Sequence, residues 1–134
     1  MTEGLRDKDM KGDIDMKFTD LVVWQKSHEL FLAIVEDVEN YPKKKAADII
    51  AGQILRSSSS ISANIAEGNG RHKGREYEHY LIISRGSLTE TENWLIKCRD
   101  LCYISSEVFE ERIKILDEVL KMLNSLIGKI RRNT

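Results

Sequence analysis

A chain of 134 residues with a net charge of −1 is most simply one domain, and it is long enough to bury a core without disulfides or a metal ion. Its 41% hydrophobic and 32% charged residues, with a single proline, are typical of a helix-rich globular protein rather than of a many-stranded sheet. No apolar run approaches the ~20 residues of a membrane span and the N-terminus does not resemble a signal peptide, so we expect a cytoplasmic protein without a membrane partner.

Residues 1–17 are polar and lack an apolar period, so we interpret them as a mobile arm that precedes a helical domain at residues 18–132. The first helix is predicted to begin at Thr19 as N-cap and to end at Pro42, which can also open the next helix. Its apolar stripe has alternating steps of three and four residues, as in helix bundles, and consists of Leu21, Trp24, His28, Phe31, Val35 and Val38. A second, adjacent set of Leu30 and Ile34 widens this stripe.

The second helix is predicted from Lys43 to Glu67, where Gly68 and Gly70 provide left-handed positions that end it. Beside its isoleucine stripe runs a polar stripe of Gln53, Arg56, Ser60, Asn64 and Glu67. Buried polar groups without partners cost ~1–3 kcal/mol each. This helix therefore either builds a polar network in a core or faces something outside its own bundle.

The third helix is predicted from Gly74 to Tyr103, after a short basic connection at residues 71–75. Its stripe is Tyr77, Leu81, Ser84, Leu88, Thr91, Leu95, Cys98 and Cys102. Both cysteines are interpreted as reduced core residues, because two thiols without a second pair do not make a zinc site. Gly86 costs ~1 kcal/mol relative to alanine inside a helix, which favours close backbone packing there.

The fourth helix is predicted to start at Ser105 or Ser106, with the stripe Phe109, Ile113, Leu116, Leu120, Leu123, Ile127 and Ile130. Four amphipathic helices joined by short turns predict an all-α, up-down-up-down four-helix bundle. The apolar sector of the third helix is wider than one core requires. We therefore expect a cyclic homo-oligomer, with a monomer that has a broad core as the alternative.

The sequence contains only weak matches to metal-binding and catalytic motifs. Glu76-x-x-His79 has the spacing of di-iron bundles but lacks a second copy, and His28 is better explained as a core residue. The glycines at 68 and 70 follow a helix rather than a strand, so they do not indicate a phosphate-binding loop of a nucleotide hydrolase. We therefore predict a protein that is not an enzyme and has no metal site and no cofactor.

Charge is the remaining signal, because residues 43–85 contain 8 basic and 4 acidic residues whereas residues 1–42 contain 5 and 10. This segregation favours a basic surface that contacts phosphate, although a solvated helix surface has the same pattern. The tyrosines at 77 and 80 could stack on bases, but core packing explains them better. The candidate nucleic-acid-binding residues, which could line one end or face, are Lys43, Lys44, Lys45, Arg56, Arg71, Lys73, Arg75 and Arg85.

Four stretches resemble a known family. They are Leu21-Val22-Val23-Trp24-Gln25-Lys26, Tyr41-Pro42, the stretch from Gln53 to Gly68 with its core Ser60-Ile61-Ser62-Ala63-Asn64-Ile65-Ala66-Glu67-Gly68, and Gly86-Ser87-Leu88-Thr89-Glu90. The chain resembles, over about residues 18–130, the bacterial four-helix bundle proteins encoded within 23S ribosomal RNA intervening sequences. The resemblance implies a homopentamer, similar in architecture to the nucleic-acid-binding accessory protein of diversity-generating retroelements.

The family pattern carries over to Gln53, Arg56, Asn64, Glu67, Gly68, Arg71, Gly86, Ser87 and Glu90. For Asn64 and Glu67 the resemblance allows a structural role, in which they pair with Arg56 or Arg71. Two functions remain open. The first is a module that binds RNA or DNA, with structured RNA preferred; the second is an adaptor whose ring docks a protein partner such as a reverse transcriptase.

Overall fold

Four α-helices make up the computed structural model, which describes residues 17–71 and 74–133. They are α1 (Val22–Glu39), α2 (Lys45–Arg71), α3 (Gly74–Asp100) and α4 (Ser106–Arg132), preceded by a short 3-10 helix at Phe18–Asp20. The described residues contain no strand. The predicted all-α class with four helices is therefore confirmed, whereas the arm predicted at residues 1–17 lies outside the described residues except for Lys17.

The helices form a four-helix bundle in which each helix packs against the next in sequence and α4 closes against α1. Adjacent helices run in opposite directions, since Asp37 near the end of α1 meets Arg112 near the start of α4. Likewise Arg56 of α2 meets Glu90 of α3, whereas Arg71 of α2 meets Tyr80. The most extensive contact in the bundle is between α2 and α3.

The buried faces of α3 and α4 follow the predicted stripes. Burial of apolar side chains is the main favourable term in folding, and it selects the face of each helix that points inward. The members of the predicted stripes that are fully or almost fully buried are Leu81, Ser84, Leu88, Thr91, Leu95, Cys98, Leu116, Leu123 and Ile127. Val119 of α4, which was not in the predicted stripe, is fully buried as well.

On α1 the prediction was wrong about the centre of the buried face, because the flanking residues Leu30 and Ile34 are buried whereas the main stripe is only half-buried. The residues that are buried are Val23, Ser27, Leu30 and Ile34. The predicted stripe lies beside them and is half-buried, as the stacked rings of Trp24, His28 and Phe31 show, with centroids 4.8 and 6.5 Å apart. Because α1 contacts both α2 and α4, the centre of its buried face points between two neighbours, and large aromatic side chains cover the edge of that face.

The start of α1 also differs from the prediction. Thr19 lies in the 3-10 helix and is not the N-cap, a position that Leu21 occupies without a side-chain hydrogen bond. The carbonyl oxygen of Thr19 accepts a hydrogen bond from Gln25 Nε2 at 2.8 Å. This contact attaches the 3-10 helix to α1 in place of an N-cap hydrogen bond. Pro42 lies between the helices, since α1 ends at Glu39 and α2 begins at Lys45.

The predicted end of α2 at Glu67 was wrong, because the helix continues to Arg71. No described glycine has a positive φ, so Gly68 does not reverse the chain. It is buried, and a Cβ at this position would lie 3.0 Å from the Cβ of Tyr80 and 3.1 Å from Cδ1 of Tyr77. Gly68 is therefore explained by the close approach of α3.

The end of α3 lies at Asp100 rather than at Tyr103. Cys102 has a φ of 63°, and the amide of Tyr103 donates to the carbonyl oxygen of Cys98 at 2.8 Å. Cys102 thus takes the left-handed position that follows a helix C-terminus, where glycine is the usual residue. Cys98 is buried and Cys102 is exposed, so the prediction of two core cysteines was wrong for the second. At the start of α4, Ser105 is the N-cap, as predicted, and its hydroxyl accepts from the amide of Val108.

We expect Gly86→Ala to raise the free energy of unfolding by ~1 kcal/mol, because alanine costs less than glycine in a helix interior. A Cβ at Gly86 would have no neighbour within 4 Å in the protomer, so the predicted close packing is not found there. Urea denaturation at a concentration where the protein is monomeric measures the change. Gly68→Ala is the control: its Cβ is crowded by tyrosines, so we expect no gain. A destabilised Gly86→Ala monomer would contradict the expectation.

Candidate nucleic-acid interface

The interface between α2 and α3 contains a hydroxyl ladder formed by Ser57, Ser60, Ser84, Ser87 and Thr91. Ser57 and Thr91 are hydrogen-bonded at 2.9 Å, and Ser87 donates to Ser60 at 2.9 Å. Ser84 donates to a backbone carbonyl of α2 at 2.8 Å. The hydroxyls of Ser57, Ser84 and Thr91 are fully buried, yet each has a partner, so the cost of burying them is offset.

The side chains of the α2 polar stripe therefore form their hydrogen bonds within the protomer. Asn64 Nδ2 donates to the carbonyl oxygen and to the hydroxyl of Ser60, at 2.8 and 2.9 Å. Asn64 therefore extends the hydroxyl ladder along α2, and it does not pair with an arginine. Between the two alternatives that the sequence left open, the structure places this network in the contact between α2 and α3.

Arg56 of α2 and Glu90 of α3 form an ion pair across the same helix contact. Arg56 Nη2 donates to Glu90 Oε2 at 2.6 Å and to Gln53 Oε1 at 2.8 Å. Glu90 also accepts from the indole nitrogen of Trp94 at 3.3 Å. Arg56 is thus brought together with two other family-pattern residues, and its charge is already paired.

Arg71 lies at the C-terminal end of α2, beyond the hydroxyl ladder. Its guanidinium donates to Glu67 Oε2 at 2.7 Å and to the hydroxyl of Tyr80 at 3.3 Å, and it lies 5.4 Å from the centroid of the Tyr80 ring. The hydrogen bond that Arg71 donates to Tyr80, together with the charge of Glu67, raises the pKa of Arg71, which stays protonated at any physiological pH. The guanidinium is held against an aromatic ring at the surface.

An open groove of about 400 Å³ lies beside this arginine, lined by Arg71, Arg75, Glu76, His79 and Tyr80. Arg75 is exposed and has no ion pair with any residue that the structure describes. Among its described residues the groove therefore presents one unpaired arginine, one paired arginine, a carboxylate, an imidazole and a tyrosine ring. Lys73, another candidate from the sequence, lies outside the described residues.

The other candidates are far from this groove. The lysines at 43, 44 and 45 lie at the opposite end of α2, whose 27 residues span ~40 Å at ~1.5 Å per residue. Arg85 donates to Asn124 Oδ1 of α4 at 2.8 Å, on another side of α3. The expectation that all these residues line one end or face was therefore wrong, because a long helix separates the two basic segments.

The sequence reasoning considered His79 only as a metal ligand and missed it as a lining residue of the groove. Its position four residues after Arg75 was the available signal, since residues four apart share a helix face. Within residues 17–71 and 74–133, no group of three or more metal-binding side chains occurs. In the same residues, no helix combines the length and hydrophobicity needed to cross a lipid bilayer.

Comparisons with known proteins agree with the sequence resemblance. The sequence model of the 23S rRNA-intervening sequence protein family matches residues 19–125. Among solved structures, the chain is similar to a protein of unknown function from the S23 ribosomal protein family of Bacteroides thetaiotaomicron, with 31% identity and a TM-score of 0.73. That similarity covers 78% of this chain and 97% of that chain. A comparison with curated proteins finds no match.

Proposed function

The chain belongs to the 23S rRNA-intervening sequence protein family, and from that premise we propose that it is a non-enzymatic protein that binds structured RNA. The observation that carries the proposal is the open groove in which Arg75 is unpaired beside Arg71 and Tyr80. An exposed arginine without a carboxylate partner is free to contact a phosphate. Such contacts supply affinity with little reading of sequence.

The geometry of Arg71 supports the same ligand. Because Glu67 and Tyr80 hold its guanidinium in place, less side-chain entropy is lost when the exposed edge binds a phosphate. The half-buried Tyr80 ring and the arginine plane over it also form a surface on which an unpaired base of a loop can stack.

We further propose that several copies assemble into a ring, a pentamer by the family resemblance. The support is a set of exposed apolar side chains on α3, since Ile82, Ile83 and Ile96 are each more than a third exposed. Gly86 lies on this helix with open space around it, which leaves room for the close approach of another helix. A ring would repeat the weak phosphate contact and increase avidity.

We expect charge reversal of the groove to abolish binding. The variant Arg71→Glu, Lys73→Glu, Arg75→Glu should lose affinity for a labelled structured RNA by at least ~10-fold and should reduce the slope of log affinity against log salt by ~2–3. Filter binding across a salt series measures both. Light scattering in the same buffer gives the oligomer mass.

The matched control is Lys43→Glu, Lys44→Glu, Lys45→Glu, which makes the same change in net charge at the opposite end of α2. We expect this variant to retain most of the affinity. If the groove variant binds RNA as tightly as the wild-type protein while the control loses binding, the interface lies at the lysine end and the groove proposal is wrong.

The exposed isoleucines of α3, Ile82, Ile83 and Ile96, also favour a second candidate function, an adaptor that docks a protein such as a reverse transcriptase. Recovery of one protein in stoichiometric amount after nuclease treatment, together with no RNA binding at low salt, would support it over the first. Double substitution of Ile82 and Ile83 by serine should then release that protein.

A further inference from the structure

The charges of α4 are divided between its two halves. Residues 106–118 contain five acidic and two basic residues, whereas residues 119–132 contain four basic residues and no acidic one. The four are exposed: Lys121, Lys129, Arg131 and Arg132. The second half of α4 is therefore a cationic surface, which we call the α4 basic surface.

Most of this charge is not neutralised within the protomer. Arg131 donates to Glu78 of α3 at 2.5 Å. Lys121, Lys129 and Arg132 have no ion pair with any residue in the described part of the chain. Basic residues in the last turn of a helix complement its dipole, but that effect is confined to the last turn, and Lys121 lies three turns before the end.

The Arg131 end of this surface lies near the groove at the end of α2, whereas Lys121 and Lys129 lie beside Val22 and Val23 of α1. Glu78, which binds Arg131, is one helical turn from Arg75 on α3. The end of α4 therefore lies beside the first turns of α3. From Lys121 to Arg132 the surface extends ~17 Å along α4, which is long enough to contact more than one phosphate of a strand.

We propose that the α4 basic surface binds the phosphate backbone of RNA and extends the interface beyond the groove. This inference rests on the proposed function, and it adds a helix that the sequence reasoning did not assign to RNA. The four basic side chains have no aromatic residue among them on residues 119–132, so this surface offers phosphate contacts without base stacking. Its contribution is therefore independent of RNA sequence.

The test compares salt dependence in two neutralised variants of the full chain. In Lys121→Gln, Lys129→Gln, Arg132→Gln, the slope of log affinity against log salt for a labelled hairpin RNA should fall by ~2–3, since each lost phosphate contact removes ~0.7–0.9. The fall should be equal for hairpins of different sequence. The matched control, Lys43→Gln, Lys44→Gln, Lys45→Gln, should keep the wild-type slope. Thermal unfolding checks that both variants are folded.

The outcomes separate the two proposals. A wild-type protein that does not bind RNA at low salt overturns both. An unchanged slope in the folded α4 variant, with binding lost in the groove variant, overturns the α4 basic surface alone. Vesicles containing phosphatidylglycerol form a second arm, because they present phosphate on a lipid. If the α4 variant loses binding to vesicles and retains its RNA slope, the surface is a lipid contact and the inference is wrong.

Discussion

Substitution of Arg112 by alanine is expected to lower the free energy of unfolding by ~3–5 kcal/mol. Arg112 of α4 forms a two-bond ion pair with Asp37 of α1, from Nε at 2.8 Å and from Nη2 at 2.7 Å. The two side chains are only 12% and 8% exposed. Removal of the guanidinium leaves a buried carboxylate without its partner, which is costly because the charge is already out of water.

Urea denaturation measures this change, and two controls interpret it. Lys26→Ala removes partly exposed ion pairs with Glu118 of α4 and Glu29 of α1, so we expect a loss of at most ~1 kcal/mol. The double variant Asp37→Ala, Arg112→Ala should be more stable than Arg112→Ala alone, because no charge is then left buried and unpaired. If Arg112→Ala costs no more than Lys26→Ala, the pair does not hold α1 to α4.

The second large effect is expected for Ile61→Ala, a loss of ~2–5 kcal/mol in the free energy of unfolding. Ile61 is fully buried at the contact of α2 with α3. The hydroxyl of Ser84 is bonded to its carbonyl oxygen, so the backbone of α3 is held in place and cannot easily move into the cavity that alanine leaves. Chemical denaturation of the monomer again provides the measurement.

Ile83→Ala is the matched control, because the same atoms are removed from a side chain that is 39% exposed. We expect at most ~1 kcal/mol of destabilisation, since most of the removed surface was already in water. Equal losses for the two variants would mean that the described core is not the core of the protein in solution.

The number of helices and three of the four buried faces could be predicted from the sequence because they depend on spacing alone. On α2, α3 and α4 the steps of three and four residues identify one face, and residues such as Ile61, Leu88 and Leu123 are buried as expected. On α1 the spacing identified two adjacent stripes. Which one is central depends on the positions of α2 and α4, and the sequence of α1 does not contain that information.

Helix ends were less predictable, because the role of a glycine depends on its neighbours. Gly68 has the sequence context of a helix end, but the structure uses it for contact with Tyr77 and Tyr80. Conversely, Cys102 takes the left-handed conformation that the sequence suggested for a glycine. Both cases are decided by contacts between helices, which local sequence does not show.

For the candidate site, the length of α2 alone predicts that Lys45 and Arg71 lie far apart, so this part could have been foreseen. The pairing of Arg56 with Glu90 could not be predicted, since it depends on the register of α2 against α3. Charge alone made Arg75 a candidate, but only the structure shows that it lines the groove without an ion-pair partner among the described residues.

The hydroxyl ladder also restricts how this protein can change shape. Its hydrogen bonds join matched levels of α2 and α3, and a slide of one helix past the other by one turn, ~5.4 Å, would break all of them at once. Ratchet motions between packed helices are a common switching mechanism. Here α2 and α3 have a single low-energy register, so we expect them to move as one rigid body, and any conformational change must occur where α1 and α4 pack against that pair.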